Sequence, residues 1–237
     1  MKKLVIAFFV VCIAAVMSAT AQTAESYNTA GIEKAEKGFY KEAFDDFTKA
    51  IEINPQDADA YNNRGNAKAK LGDNKGAIAD FTKAIEINPQ DAETYYNRGN
   101  AKSDLGDNKG AIADYSKAIE LNPQFSEAYT NRGVAKSDLG DKKGALKDYT
   151  KAIEINPQDA DAYNNRGNAK SDLGDNKGAI ADYTKAIEIN PQDADIYYNR
   201  ALLYYNEDKI PLACADLQKA KELGLNQAIA MIDEFCK

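Results

Sequence analysis

Few side chains in this chain are equipped for covalent or acid–base chemistry. Its 237 residues include no histidine, which removes the commonest acid–base group near neutral pH and the commonest metal ligand. Cys214 and Cys236 are the cysteines outside an apolar N-terminal run. In an oxidising compartment they can join as a disulfide; otherwise they are two buried thiols. Aspartate and lysine recur at helical spacing, as at Asp80 and Lys83, which predicts salt bridging on the exposed side of a helix. Such pairs recur along the chain, so none singles out a reaction centre. Neither a G-x-S-x-G elbow nor a Walker loop is present. The turns "LGDNKG" and "NPQDAD" are rich in oxygen ligands. However, "DLGDNKG" at 104–110 places Leu105 and Gly106 between its acids and lacks the closing Glu of a calcium loop. These turns read as helix caps. No catalytic residue, metal or cofactor is expected, and the remaining chemistry is hydrogen bonding and charge.

The elements that carry these side chains are set by a repeat. Pro55, Pro89, Pro123, Pro157 and Pro191 share one 34-residue spacing. The same spacing holds for Ala43 to Ala213, for Phe47, Phe81, Tyr115, Tyr149, Tyr183 and Leu217, and for Gly31 to Gly167 with Ala201 in sixth place. Residues 58–91 and 160–193 differ at only three positions. A strict period of this length marks a stacked repeat architecture.

Each period predicts two helices. In 58–91, Asp57 caps a helix that runs to about Leu71, and Gly72 suits the left-handed residue that closes it. Asp73 caps a second helix whose Ala77, Ile78, Phe81, Ala84 and Ile85 share one face. Pro89 prevents its continuation. Small residues at Gly65, Ala77 and Ala84 allow two backbones to approach. Tyr61, Phe81 and Ile85 fill the space between units. One hairpin cannot bury its own apolar face, so hairpins must stack. After residue 225 the period gives way to "NQAIAMIDEFCK", with Ala228, Met231, Ile232 and Phe235 on one side, which reads as a capping helix.

On these small residues, alanines, aromatics and terminal prolines, the chain resembles the tetratricopeptide repeat family from residue 24 to about 225. The resemblance implies an all-α, right-handed α-solenoid of six 34-residue helix-turn-helix repeats with a C-terminal capping helix. The units would be 24–57, 58–91, 92–125, 126–159, 160–193 and 194–225, with the cap at 226–237. The chain departs from the family pattern in having Tyr27, Tyr61, Tyr95, Tyr129, Tyr163 and Tyr197 where Trp is usual. Arg64, Arg98, Arg132, Arg166 and Arg200 stand where Leu is favoured. These departures predict a more polar, less tightly packed array.

The resemblance also implies that first helices line the concave surface. It places Asn62, Asn66, Tyr96, Asn100, Thr130, Val134, Asn164 and Asn168 inward, with Asn97, Asn131, Asn165 and Asn199 beside them. Asparagine both donates and accepts, so this ladder can grip an extended peptide backbone; alternatively, the side chains bond one another and water. In the sixth unit Tyr198, Leu202 and Tyr205 replace polar residues on that face. They form either a groove anchor or packing under the C-terminal helix. Some family members clamp a peptide carboxylate using an early lysine. Here Asp59, Glu93, Glu127, Asp161 and Asp195 occupy that position, which implies a neutral or basic partner. Similar bacterial family members often end with a cysteine pair.

The first residues form a separate segment. "MKK", the apolar run Leu4–Met17 and Ala19-Thr20-Ala21 follow the order of a signal peptide, residues 1–21. The run is short for a membrane span, and Cys12 lies inside it without the small residues that precede a lipidated cysteine. The expectation is export to the periplasm or medium without stable membrane insertion. Cleavage would remove Lys2 and Lys3 and take the net charge from −7 to −9. That balance, with basic residues spread evenly beside acids, argues against nucleic acid. The chain reads as a non-catalytic interaction scaffold or adaptor that binds an extended segment of another protein. The alternative is a structural spacer in an envelope assembly that acts through its convex face. Identical edges between units are compatible with end-to-end stacking of whole chains.

Overall fold

A computed structural model describes residues 23–236. The predicted signal peptide therefore lies outside the described residues. Those residues form thirteen helices and no strand: α1 (Ala24–Glu36), α2 (Tyr40–Ile53), α3 (Ala58–Lys70), α4 (Asn74–Ile87), α5 (Ala92–Asp104), α6 (Asn108–Leu121), α7 (Ser126–Asp138), α8 (Lys142–Ile155), α9 (Ala160–Asp172), α10 (Asn176–Ile189), α11 (Ala194–Asn206), α12 (Ile210–Glu222) and α13 (Gln227–Phe235). They fall into two compact units, one ending at Pro89 and one beginning at Gln90. Within each unit, helix pairs form hairpins and successive hairpins pack, the architecture of an all-α solenoid.

The helix ends follow from local chemistry. Asp57 accepts from the Ala60 N–H at 3.0 Å and Asp73 from that of Gly76 at 2.9 Å, so each covers an otherwise orphan donor. Gly72 closes α3 at φ 85°. In the sixth hairpin Asp208 takes the corresponding turn position at φ 59°, a region that aspartate tolerates better than most residues. Phe125 begins α7 without a side-chain cap.

The first five hairpins each close on a contact between a glycine and an aromatic ring. A Cβ added to Gly65 would lie 2.6 Å from Cε1 of Phe81, closer than any side chain allows. The sixth hairpin pairs Ala201 with Leu217 in one buried cluster, a smaller side chain opposite a larger backbone neighbour. Between hairpins, small and branched residues interlock, as Ala152, Ile153 and Ala162 do with Tyr129 and Tyr163.

Two expectations are corrected here. Asp80 does not lie on an exposed helix side: it is buried, and Lys83 pairs with Glu86 instead. Asp80 accepts from Nε and Nη2 of Arg64 at 2.8 Å each and from Lys68 at 2.8 Å. Two cations reached from the facing helix compensate the desolvation of one carboxylate. The arginines therefore do not loosen the array. They tie α3 to α4 through a bidentate pair. The same pairing joins Arg98 to Asp114, Arg132 to Asp148, Arg166 to Asp182 and Arg200 to Asp216.

The two ends differ in character. Where later first helices bury Ala60 and Ala67, α1 carries the exposed Ser26 and Glu33. At the other end α13 covers the last hairpin. Ala228 is fully buried with Tyr197, Leu217 and Ala220, and Met231 and Ile232 pack around them. Cys214 and Cys236 form a disulfide that ties the end of α13 to α12.

Candidate functional site

In the unit beginning at Gln90, α5 touches α7 and α7 touches α9. No comparable contact joins successive second helices among the described residues. Helices on the inner side of a bent stack are the ones brought together, so the first helices form the inner face of this unit. The sequence-derived candidates lie on these and the following first helix: Tyr96, Asn97 and Asn100 on α5, Thr130, Asn131 and Val134 on α7, Asn164, Asn165 and Asn168 on α9, and Tyr198, Asn199, Leu202 and Tyr205 on α11. In the unit ending at Pro89, Asn62 and Asn66 lie on α3 and are partly exposed.

The asparagines bond partly to one another. Asn131 donates to Oδ1 of Asn100 at 2.9 Å and to the Tyr96 hydroxyl at 3.0 Å, while the Tyr115 hydroxyl donates to Asn100 at 2.8 Å. Asn168 accepts from the Tyr183 hydroxyl at 2.7 Å and from Asn199 at 3.5 Å. Asn63 likewise donates to Asn28 at 3.0 Å. Val134 interrupts the series, and the buried Oδ1 of Asn164 accepts no hydrogen bond among the described residues. Thr130 is only 7 % exposed and donates to Asp159 at 3.3 Å. It shapes the face more than it presents a free hydroxyl, because α9 packs over it.

The apolar stripe of the sixth hairpin is engaged by the cap. Tyr205 meets Phe235 with ring centroids 4.5 Å apart, and Tyr198 joins the cluster beneath α13. Leu202 remains partly exposed.

Two adjoining cavities open where the turns between hairpins meet the first helices. One, of about 510 Å³, is lined by Asp91, Glu93, Tyr96, Asn97, Phe125 and Glu127, among others. The second, of about 560 Å³, shares Tyr96 and Glu127 and adds Thr130, Asn131, Asp159 and Asp161. The rings of Tyr96 and Phe125 lie 4.8 Å apart. Phe125 was not among the sequence-derived candidates. Its signal was the replacement of the capping aspartate found at Asp57, Asp91, Asp159 and Asp193. Burial, then the charges of Asp159 and Asp193, push the Asp161 carboxyl above the usual aspartate range. Burial also raises the Tyr115 hydroxyl, with Tyr96 and Asp104 adding to it.

Comparison with known sequences decides the family. The profile described as TPR repeat matches residues 31–72, 65–106, 137–174 and 167–208, more than half of the chain. Two tetratricopeptide repeat profiles match 92–125 and 115–147. The chain belongs to the tetratricopeptide repeat family. No curated protein sequence matches this tetratricopeptide repeat protein significantly. Among solved structures it is similar to MamA, at 27 % identity and TM-score 0.64 over 70 % of this chain and 96 % of that one. It is also similar to YrrB, described as a TPR protein with an unusual peptide-binding site, at 27 % identity and TM-score 0.66 over 79 % and 97 % of the two chains. PilF of Pseudomonas aeruginosa shares the fold at 18 % identity and TM-score 0.77 over 86 % and 92 %. Among the described residues of this tetratricopeptide repeat protein, no helix is long and apolar enough to cross a membrane.

Proposed function

We propose that this tetratricopeptide repeat protein is an exported, non-catalytic scaffold that holds an extended, neutral or basic segment of another protein along its first helices. The observation that carries this reading is the run of amide and hydroxyl side chains on α5, α7 and α9, broken only at Val134 and opening into two acid-lined cavities. Backbone amides of an extended chain need alternating donors and acceptors, and asparagine and tyrosine provide both. Glu93, Glu127 and Asp161 border the same face, and their charge disfavours a peptide carboxylate. The peptide-binding site named for YrrB supports the reading. The Cys214–Cys236 disulfide supports export, because such bonds persist in oxidising compartments.

Site-specific photo-crosslinking in the producing cell tests this. A crosslinker replacing Asn164 on α9 is expected to give a discrete protein adduct, and one replacing the exposed Ala181 on α10 is not. Adducts from Ala181 alone would replace the groove reading with a spacer that works through its outer face.

A further inference from the structure

We propose that the adjoining cavities around Tyr96 and Phe125 seat an arginine side chain of the bound segment. This rests on the reading that the first-helix face holds such a segment, and it adds the chemistry of one anchoring residue. The near-identical hairpins differ at few positions, yet two differences coincide here. Tyr96 stands where Asn62, Thr130 and Asn164 stand in other repeats, and Phe125 where Asp91 and Asp159 stand. The two rings meet at 4.8 Å; both border the first cavity, and Tyr96 borders the second as well. A half-buried aromatic pair facing a cavity and rimmed by Glu93, Glu127 and Asp161 is chemistry suited to a cation with a flat, weakly hydrated face.

The protein shows the occupant in its own packing. Arg132 lies 5.4 Å from the Tyr129 ring centroid while bonding Asp148, and Arg166 lies 5.4 Å from that of Tyr163 while bonding Asp182. The second to sixth hairpins thus each build an aromatic ring and a carboxylate around a guanidinium. The Tyr96–Phe125 seat repeats those components, but no lysine or arginine among the described residues forms a salt bridge with Glu93, Glu127 or Asp161. Asp91 and Asp159 serve as helix caps, accepting from the N–H groups of Thr94 and Ala162. The other three acids therefore supply the charge that an incoming arginine meets. Burial first, then the charges of Asp159 and Asp193, raise the Asp161 carboxyl, and a cation seated beside it favours the charged form.

The test titrates the full chain with short Gly-Ser peptides, blocked at both ends, that carry one central arginine or its uncharged isostere citrulline. The arginine peptide is expected to bind about tenfold more tightly. The double variant Tyr96→Asn/Phe125→Asp installs residues that neighbouring hairpins carry at these positions, so it keeps the fold. It also adds a negative charge, so general attraction to an acidic protein would tighten arginine binding. The seat predicts the reverse, a loss of most of the arginine preference. Glu127→Gln, which leaves the rings in place, is expected to weaken the arginine peptide alone. Equal binding of the two peptides, or an arginine preference kept or enlarged in the double variant, overturns the seat. With crosslinks still forming at Asn164, that result leaves the groove reading standing; loss of those crosslinks as well removes both.

Discussion

Arg132 donates from Nε and Nη2 to the two carboxylate oxygens of Asp148, at 2.9 and 2.7 Å, across the two helices of one hairpin. Lys136 adds a third contact at 2.7 Å, and Nη1 of the same arginine reaches Ser116 of the preceding hairpin at 3.0 Å. One guanidinium therefore joins both helices of its own repeat and the repeat before it. Asp148→Ala strands two partly buried cations and is expected to cost about 3 kcal/mol. Arg132→Leu leaves Lys136 on the carboxylate and is expected to cost roughly 2 kcal/mol. The pair Arg132→Leu/Asp148→Leu should cost well below the sum of the single changes. Denaturant unfolding of the four proteins measures this, and simple additivity would refute the coupled network.

Gly65 and Phe81 occupy space that neither can yield alone. Gly65→Ala puts a methyl group 2.6 Å from the ring and is expected to destabilise by about 2 kcal/mol. Phe81→Leu in the same chain should recover much of that loss, because the sixth hairpin already packs Ala201 against Leu217. The check is the unfolding midpoint of Gly65→Ala with and without Phe81→Leu. A second change that only adds to the damage would contradict this account of the sixth repeat.

The disulfide controls the C-terminal cover. Closing the loop between Cys214 and Cys236 is worth about 3 kcal/mol by chain entropy. Hydrogen exchange should show α13 losing protection on addition of a dithiol, and Cys236→Ser should behave the same way without it. Protection in α5 to α8 should hold, because repeat arrays transmit stability mainly to neighbours. Unchanged exchange in α13 would mean that the apolar contacts suffice as a clamp.

Alkaline pH should act through the buried tyrosines. Burial, then Asp172 and Asp182, push the Tyr183 hydroxyl from 10.0 up to about 12, and burial raises Tyr115 and Tyr149 as well. Above pH 10 the unfolded chain releases these protons while the folded chain keeps them, so the unfolded state binds fewer protons and stability falls as pH rises. The contribution is complete below pH 10 and is lost as pH passes through about 12. Near-ultraviolet absorbance should show a late group of tyrosines that ionises together with loss of helical signal. A single early titration with the helices intact would count against this.

The 34-residue period, the capping aspartates, the closing glycines and the glycine–aromatic spacing made the helical hairpins legible in the sequence. These depend on short-range sterics and hydrogen bonding that residue type and spacing express directly. Spacing could not say which face of one helix meets which face of the next. Asp80 shares an outward-looking pattern with Lys83, yet packing turns it toward Arg64 on the facing helix, sixteen residues away in sequence. Phe125 meets Tyr96 only because the turn between hairpins brings them together. The stripe of Tyr198, Leu202 and Tyr205 had two readings, and the placement of Phe235 engages Tyr205 with the cap. The repeated local pattern by itself determined the hairpins and their stacking. Which polar groups were buried together, and which were left facing a cavity, was decided only when the helices closed on one another, because desolvation and charge pairing depend on neighbours that lie far apart along the chain.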